Sequence, residues 1–431
     1  MEFKKHLEKY LSKDEIEKLM EAVANAPIRA LLLNLYKMRV CDLLAEYPFL
    51  KPHPIVKNGY LFNPKEHELG KSIHHFQGCF YIQEPSAMVP AYLLNAEHTD
   101  YVLDLCAAPG GKTVQTSLLM QNLGVLVAND ISRSRINAVL ENVERMGLAN
   151  VVITNNDFSK LKHFYKDYFT KIILDAPCSG SGMFRKDNKM IEDWSYNKVL
   201  KFAEEQKKLI LYAYEMLAPG GTMCYSTCSF SFEENEEVIE YLLENTDAEL
   251  VEIKKNNLFY VDKQKPYGIH LFPHIFNGDG QYVCLIKKPG ELTLKKIKRE
   301  DNPVMNNLRK YIPVESYQLR SIKRFGDYLF ALPLDFKYSN DMNIIRYGLK
   351  IGEIKNVSTI IYDHHFSHYL QNFPLEVELD EENLKKYMKG ETLNIEKDKN
   401  FVLVKYQNIP LGFAKSDGRI LKNHLPKGLR R

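Results

Sequence analysis

The sequence has few cysteines and no pattern that would pair them. Seven cysteines are scattered over 431 residues, and none of them forms a C-x-x-C pair. An odd number of scattered cysteines argues against both a disulfide framework and a zinc knot. We therefore expect reduced thiols, as in a cytoplasmic protein.

Long apolar runs and a strong net charge are also missing. No run of about 18 apolar residues is available for a membrane span, and the first residues, MEFKKHLEKYLSKDE, lack the apolar core of a signal peptide. We expect no membrane partner and a cytoplasmic location. The net charge of +3 is too small to identify a partner. Two stretches are nevertheless basic, at 287–300 and in the C-terminal GRILKNHLPKGLRR.

From about residue 100, short β-rich runs alternate with helical patterns. The runs are YVLDLC, VLVAND, NVVITN, KIILDA and TMCYSTC, and helical patterns such as SRSRINAVLENVERMG lie between them. This alternation predicts an α/β fold with a doubly wound, mainly parallel sheet that holds ligands at the carboxyl ends of its strands. The first 50 residues are predicted to be helical. After QYVCLIKKPGE the alternation stops, and β-like pieces such as NFVLVKYQ predict one or two accessory domains.

The end of the first strand lacks the two common nucleotide signatures. In DLCAAPGGKT, residues 104–113, Cys106 stands where a P-loop needs glycine, and G-x-G-x-x-G is absent. A glycine turn that opens a helix remains, and there backbone N–H groups can approach a ligand. Asp130 ends the second strand, where an acid accepts ribose hydroxyls, and Asp157 follows the third, within reach of an adenine amine. Each acid alone fits a helix cap or a solvated loop better, but together they predict S-adenosylmethionine rather than NAD or ATP.

Two thiols follow two further strands. Cys178 in DAPCSGSGMF comes three residues after Asp175, and Cys228 lies in CYSTCSFSFEEN. Both belong to strand ends of one predicted sheet, so we expect a shared pocket. A thiolate that adds to carbon 6 of a pyrimidine makes carbon 5 reactive toward a methyl sulfonium, and Asp175 is placed to engage the ring N3. The spacing leaves open which thiol attacks.

Four stretches, in this order, resemble the RNA cytosine-5 methyltransferases of the Nol/Nop/Sun type. They are QEPSAMVPAYLL, VLDLCAAPGGKT, ILDAPCSGSGMFRKD and LAPGGTMCYSTCSFSFEENEEVI. The resemblance implies that Cys228 is the nucleophile, that Cys178 assists product release and that Asp175 completes the catalytic set. The implied cofactor contacts are Cys106, Ala107, Ala108, Pro109, Gly110, Gly111, Lys112, Asp130, Asp157 and Asp175. For Lys112, a surface position at the start of a helix is an equal alternative.

The C-terminal stretches KYMKGETLNIEK, VLVKYQNIPLGFAKSDG and LKNHLPKGLRR resemble the PUA-like module of bacterial RsmF-type enzymes. The resemblance implies a monomeric, S-adenosylmethionine-dependent enzyme that methylates carbon 5 of cytosine in 16S ribosomal RNA. The implied domains are an N-terminal RNA-contacting segment at 1–90, a Rossmann-like methyltransferase domain at 91–290, a linker and accessory region at 291–365, and a PUA-like RNA-binding domain at 366–431. Arg29 is assigned no substrate contact, because the residues after it depart from the family's pattern.

Three alternative functions remain open. Transfer RNA is a second candidate substrate. An exocyclic-amine methyltransferase is disfavoured, because DAPC replaces [DN]-P-P-[YF] at the fourth strand. A non-catalytic RNA-binding assembly factor is disfavoured because Cys178, Asp175 and Cys228 are all intact.

Several other conspicuous side chains are predicted to be structural. No metal is predicted at His364 and His368, since no third ligand follows them in a recognisable pattern. The residues expected to serve only packing are Cys224, Cys284, Phe184 and Trp194.

Overall fold

The computed structural model describes residues 2–185, 189–293, 320–333, 336–356 and 359–431. The basic stretch at 287–300 is therefore described only as far as residue 293, and its continuation lies outside the described residues. Within the described ranges, no helix is both long enough and apolar enough to cross a membrane.

The N-terminal region begins with two helices, α1 (Glu2–Leu7) and α2 (Lys13–Ala24). Ser12 starts α2 with a reciprocal cap: its hydroxyl accepts the Glu15 N–H, and the Glu15 carboxylate accepts the Ser12 N–H at 2.9 Å. The prediction of helix in the first 50 residues is wrong at Arg29–Leu33, which forms strand β1, and it is confirmed again at Val40–Glu46. The last four residues of β1 are all buried, and an unbroken apolar run suits a strand that is covered on both faces.

Strand β1 is an inner strand of a four-stranded sheet. The order is β2-β3-β1-β4, and all neighbours are antiparallel. The remaining elements of this region are α3 (Val40–Glu46), β2 (Lys51–Pro52), β3 (Gly59–Phe62), α4 (Ile73–Phe76) and β4 (Phe80–Gln83).

The central sheet confirms the doubly wound, mainly parallel architecture. Five parallel strands run in the order β9-β8-β5-β6-β7. They are β5 (Tyr101–Asp104), β6 (Val125–Asn129), β7 (Val151–Thr154), β8 (Phe169–Asp175) and β9 (Leu217–Thr227). The helices are α5 (Val89–Leu94), α6 (Gly111–Leu119), α7 (Arg133–Met146), α8 (Phe158–Phe164), α9 (Lys189–Glu192), α10 (Tyr196–Met216) and α11 (Glu236–Asn245). Val102 and Leu103 point into separate apolar clusters on opposite faces of this sheet, as the period-2 geometry of a strand requires.

Antiparallel strands complete both edges of the central sheet. Beyond β9 lie β10 (Glu249–Val251), β11 (Ile269–His270) and β12 (Tyr282–Lys287). At the opposite edge, β15 (Ile344–Tyr347) pairs with β7. A strand from the predicted accessory region therefore belongs to the central sheet. The other described strands of that region form a second antiparallel sheet. They are β13 (Arg320–Phe325), β14 (Tyr328–Pro333), β16 (Leu349–Asn356) and β17 (Thr359–Tyr362).

The C-terminal region is β-rich, as predicted. Its sheet has the order β18-β19-β20-β21. The elements are helix His364–Tyr369, β18 (Glu376–Glu378), helix Glu381–Lys389, β19 (Phe401–Tyr406), β20 (Ile409–Ser416) and β21 (Leu421–Asn423). Short 3₁₀ helices occur at Leu69–Lys71, Ser86–Met88, Ser181–Met183, Phe232–Glu234 and Lys427–Leu429.

The last two arginines of the basic C-terminus make intramolecular contacts. Arg430 donates to the Leu425 carbonyl at 3.1 Å, and Arg431 donates to the Lys71 carbonyl at 3.2 Å. The second bond links the C-terminus to the N-terminal region. Both arginines thus have hydrogen-bond partners within the protein.

A glycine allows the N-terminal region to contact α7 closely. Gly78 has φ +71°, and a Cβ atom there would collide with the carbonyl oxygen of Arg145. The Arg145 side chain continues this contact, because its guanidinium donates to the carbonyls of His75 at 3.0 Å and Phe80 at 3.3 Å. Position 78 must therefore be occupied by glycine if the contact is to keep this geometry.

We expect Gly78→Ala to destabilise the protein by more than about 1 kcal/mol, because alanine is strained at positive φ and its methyl group has no space. Denaturant unfolding measures the change. The control is Gly70→Ala, since no atom lies within 4 Å of a Cβ at that position; it should change stability by less than about 0.5 kcal/mol. Equal losses for the two variants would contradict this account of the contact.

Candidate active site

A cavity of about 450 Å³ lies where β5, β8 and β9 end. This volume is within the range of about 300–1,000 Å³ that is usual for small-ligand sites. The predicted site residues in its lining are Cys106, Ala107, Ala108, Pro109, Gly111, Lys112, Asp175 and Cys228. The sheet therefore brings together motifs that are far apart in the sequence.

The glycine turn presents backbone to the cavity at the start of α6. Gly110 is the N-cap of this helix and has φ +109°, a conformation that favours glycine. At Gly111, a Cβ atom would collide with the Gln83 side-chain oxygen. The turn thus combines close backbone approach with the free N–H groups of a helix N-terminus.

Asp130 and Asp157 lie in different environments. Asp130 is almost completely buried, and its carboxylate accepts N–H groups of Ala108 at 3.2 Å, Ser132 at 2.8 Å and Arg135 at 3.0 Å. Asp157 is exposed and caps α8, where it accepts the Ser159 N–H at 2.9 Å. Its hydrogen bonds with Ser159 lower the pKa of Asp157. A contact of either acid with a nucleoside remains a prediction.

Asp104 is a polar residue of the site that the sequence analysis did not assign. It is buried, and its Oδ2 atom accepts the Thr113 hydroxyl at 2.6 Å. Its Oδ1 atom has no partner among the described residues. Burial raises the pKa of Asp104 to about 7. The only sequence signal was its position as the first residue of the glycine-turn motif.

Lys112 forms an ion pair with Asp175 at 2.8 Å, which excludes the alternative of a solvated surface lysine. Burial lowers the pKa of Lys112, but the charge of Asp175 and the hydrogen bond to it outweigh burial, so the net pKa is raised. The other oxygen of Asp175 accepts the Ser226 hydroxyl at 2.7 Å and the Gln281 amide at 2.9 Å. Three donors thus hold this carboxylate in place.

The two predicted catalytic thiols are adjacent. The sulfur atoms of Cys178 and Cys228 are 3.1 Å apart, and both side chains are partly buried. The pKa of Cys178 is raised well above its usual value, first by its hydrogen bond with Cys228, then by burial and by the charges of Glu234 and Asp175. Cys178 therefore keeps its proton at neutral pH and can donate its S–H to Cys228.

Glu234 connects the loops that carry the two thiols. This fully buried carboxylate accepts the Ser179 N–H at 2.8 Å, the Ser229 hydroxyl at 2.5 Å and the Gln206 amide at 3.1 Å. Ser179 follows Cys178, and Ser229 follows Cys228. Burial raises the pKa of Glu234, and these hydrogen bonds oppose that rise. Sequence reasoning missed this residue, although it lies in the same matched stretch as Cys228.

Arg29 also reaches the cavity, where it lies 3.4 Å from Asp279. Arg29 and Asp279 are 250 positions apart, so no local pattern predicts this contact. Arg29 is therefore a lining residue of the cavity.

Side chains that were predicted to be structural occupy buried positions. Cys224 and Cys284 are fully buried in the core. The Phe184 and Trp194 rings pack edge-on against Phe3, at 4.9 and 5.2 Å between ring centroids.

His364 and His368 contact each other through their Nε2 atoms at 3.0 Å. In the part of the chain that the structure describes, no group of three or more His, Cys, Asp or Glu residues is arranged to hold a metal ion.

Three family models match the chain. The 16S rRNA methyltransferase RsmB/F model matches residues 91–287, the N-terminal domain of 16S rRNA methyltransferase RsmF matches 1–85, and the methyltransferase RsmF PUA domain matches 374–431. These matches agree with the resemblance that the motifs indicated.

Two relatives are similar over most of their length. Both are called ribosomal RNA small subunit methyltransferase F. The protein from Shewanella piezotolerans is 32% identical over 88% of this chain and 85% of its own, and that from Vibrio atlanticus is 30% identical over 99% and 97%. A crystal structure of a methyltransferase homolog protein from Pyrococcus horikoshii matches with a TM-score of 0.59 and 29% identity, over 66% of this chain and 93% of that one. The chain therefore belongs to the RsmB/F family of 16S rRNA methyltransferases.

Proposed function

We propose that this enzyme methylates carbon 5 of a cytosine in small-subunit ribosomal RNA, with S-adenosylmethionine as cofactor. The observation that carries the proposal is the pair of thiols, 3.1 Å apart, beside the Lys112–Asp175 ion pair. The names of the relatives favour ribosomal RNA over transfer RNA. We include a cytoplasmic location in the proposal, because ribosomal RNA is the substrate.

The side chains around the cavity fit S-adenosylmethionine, which supplies the methyl group when bound. The unpartnered Oδ1 of Asp104 is suited to a cationic amine. Asp130 lies behind the lining and accepts the N–H of the lining residue Ala108. Its carboxylate accepts three hydrogen bonds in all, and a carboxylate has about four acceptor sites, so one remains for a ribose hydroxyl. The glycine turn provides N–H groups without Cβ atoms.

The nucleophile in this proposal is Cys228. It lines the cavity, whereas Cys178 is not part of the lining formed by the described residues. A bond between its sulfur and carbon 6 of the cytosine makes carbon 5 electron-rich. As negative charge reaches N3 of the ring, a hydrogen-bond donor is needed there. The Lys112 ammonium has three N–H donors and gives one of them to Asp175, so the pair offers the ring both a donor and an acceptor.

Cys178 acts after the transfer in this proposal. Carbon 5 loses its proton to solvent, and the electrons of that C–H bond form the double bond to carbon 6. The bond between carbon 6 and sulfur then breaks, and Cys228 leaves with its electron pair. Because Cys178 is protonated at neutral pH and adjacent to Cys228, it can donate its S–H to the departing sulfur. This donation favours release of the methylated RNA.

We also propose the division into an RNA-contacting segment at 1–90, a methyltransferase domain at 91–290, an accessory region at 291–365 and a PUA-like RNA-binding domain at 366–431. The matched models at 1–85, 91–287 and 374–431 support three of these parts.

Bisulfite sequencing of ribosomal and transfer RNA from cells lacking the gene tests the substrate. Loss of a 5-methylcytosine from transfer RNA alone would overturn the ribosomal assignment.

We expect the two cysteine variants to behave oppositely. Cys228→Ala should abolish methylation and form no covalent complex with RNA, because no sulfur adds to carbon 6. Cys178→Ala should accumulate the covalent complex, because release is slowed. A denaturing gel with substrate RNA shows the complex as a shifted band, and the double variant should lack it. The reverse pair of gels would make Cys178 the nucleophile.

We expect Asp130→Ala to weaken S-adenosylmethionine binding by about 1.5 to 3 kcal/mol, the usual range for a hydrogen bond to a charged acceptor. Calorimetric titration measures the change. Asp380→Ala provides a comparison, because Asp380 caps the helix Glu381–Lys389 by accepting the Asn383 N–H: loss of a helix cap alone costs about 1 kcal/mol of stability and leaves cofactor affinity unchanged. Unchanged affinity in a folded Asp130 variant would remove Asp130 from the cofactor site.

We expect Glu234→Ala to slow formation of the covalent complex by more than roughly tenfold. Each buried hydrogen-bond partner that is left unsatisfied costs about 1–3 kcal/mol of free energy, and the two thiol loops are no longer connected. The neighbouring Glu233→Ala is the control. Glu233 contacts Lys9 and Tyr10 at the N-terminal helices, so its loss should lower stability without changing the rate of complex formation. Similar rates for both variants would argue against a positioning role for Glu234.

A further inference from the structure

Gln281 contacts the Asp175 carboxylate from a part of the chain that lies outside the four matched stretches. It lies just before β12, and only 4% of its surface is exposed. Its amide nitrogen donates to Asp175 at 2.9 Å, and its side chain lines the same cavity as Lys112 and Cys228. Its backbone carbonyl accepts the Leu271 N–H at 2.8 Å, which fixes the backbone from which the side chain extends.

The chemistry of Asp175 determines which way the Gln281 amide faces. An ionised carboxylate only accepts hydrogen bonds, and Asp175 forms an ion pair with Lys112 at 2.8 Å. The NH₂ group of Gln281 must therefore face Asp175, and this orientation follows from the hydrogen-bond network alone. The carbonyl oxygen of the amide is turned away from Asp175.

This carbonyl oxygen is available to a ligand. No described residue donates a hydrogen bond to this oxygen, and the oxygen is not completely buried. Gln281 lines the cavity together with Asp175 and Lys112, and we infer that the oxygen turned away from Asp175 faces the space beside them. A neutral acceptor therefore lies next to the ion pair.

We propose that Gln281 selects cytosine by accepting a hydrogen bond from its exocyclic amine. The inference rests on the proposed function. Cytosine carries an NH₂ donor at carbon 4, and this donor matches a carbonyl acceptor. Uracil carries an oxygen there, so two acceptors would face each other without a proton between them, and uracil is rejected. The same amide also positions Asp175 through its NH₂ group.

The test compares cytosine with pyrimidin-2-one at the mapped target position of a substrate RNA. Pyrimidin-2-one has hydrogen in place of the exocyclic amine. We compare the factor by which the analogue slows covalent complex formation in each enzyme. This factor should be about tenfold larger for the wild-type enzyme than for Gln281→Met, because only the wild-type enzyme loses a hydrogen bond when the amine is absent. Methionine has a similar length and no amide. Each enzyme is measured with both RNAs, so the intrinsic reactivity of the analogue cancels when the two factors are compared.

Ser226→Ala is the matched control for this test. Ser226 donates to the same oxygen of Asp175 as Gln281 does, at 2.7 Å, and it is fully buried. Its loss should slow the reaction through Asp175 but leave the wild-type preference for cytosine over the analogue intact. Base selection is thereby separated from the positioning of Asp175. Thermal unfolding and cofactor titration verify that each variant is folded. Gln281→Asn serves as a second variant, because it keeps the amide group on a shorter side chain.

The possible outcomes distinguish the two proposals. If the wild-type enzyme forms no complex with cytosine RNA, the proposed function fails. If it does, and the preference for cytosine is the same in Gln281→Met and wild type, the Gln281 inference alone is overturned. Loss of the preference in Gln281→Met, with its retention in Ser226→Ala, supports the inference.

Discussion

The contact on which the site depends most is the Lys112–Asp175 ion pair. It joins the first turn of α6 to the end of β8, and Ser226 and Gln281 extend it to β9 and to the residue before β12. A partly buried ion pair is favourable only when most of its remaining hydrogen-bonding capacity is used, and these two donors use most of that of Asp175. The glycine turn at the start of α6 and the thiol loops are consequently held in place by the same contact.

The sequence predicted the features that depend on local patterns. Period-2 and helical spacing located β5 to β9 and α7, and the carboxyl ends of parallel strands explain why Cys178 and Cys228 meet. Strand β1 was mistaken for helix, because a short apolar run fits both a buried strand and a buried helix. Gln281 could not be predicted, since it contacts a residue 106 positions away and no periodicity encodes such a contact.

The same limit applies to buried polar residues near the thiols. Glu234 lies in a sequence with two adjacent acids, and only the fold distinguishes them: Glu233 faces the N-terminal helices and Glu234 faces the thiol loops. The Lys112 alternatives were open for a related reason, because a lysine at the start of a helix is normally solvated. Its burial follows from the position of Asp175 in the neighbouring strand, which only the folded sheet reveals.

The strand that β15 contributes to the central sheet also protects the protein from aggregation. All four residues of β7 are buried, and without β15 their backbone N–H and C=O groups would form an open, apolar sheet edge. Such an edge is a template for pairing with other chains. A fragment ending at residue 290 would expose it, so the region beyond residue 290 contributes to the colloidal stability of the enzyme as well as to its fold.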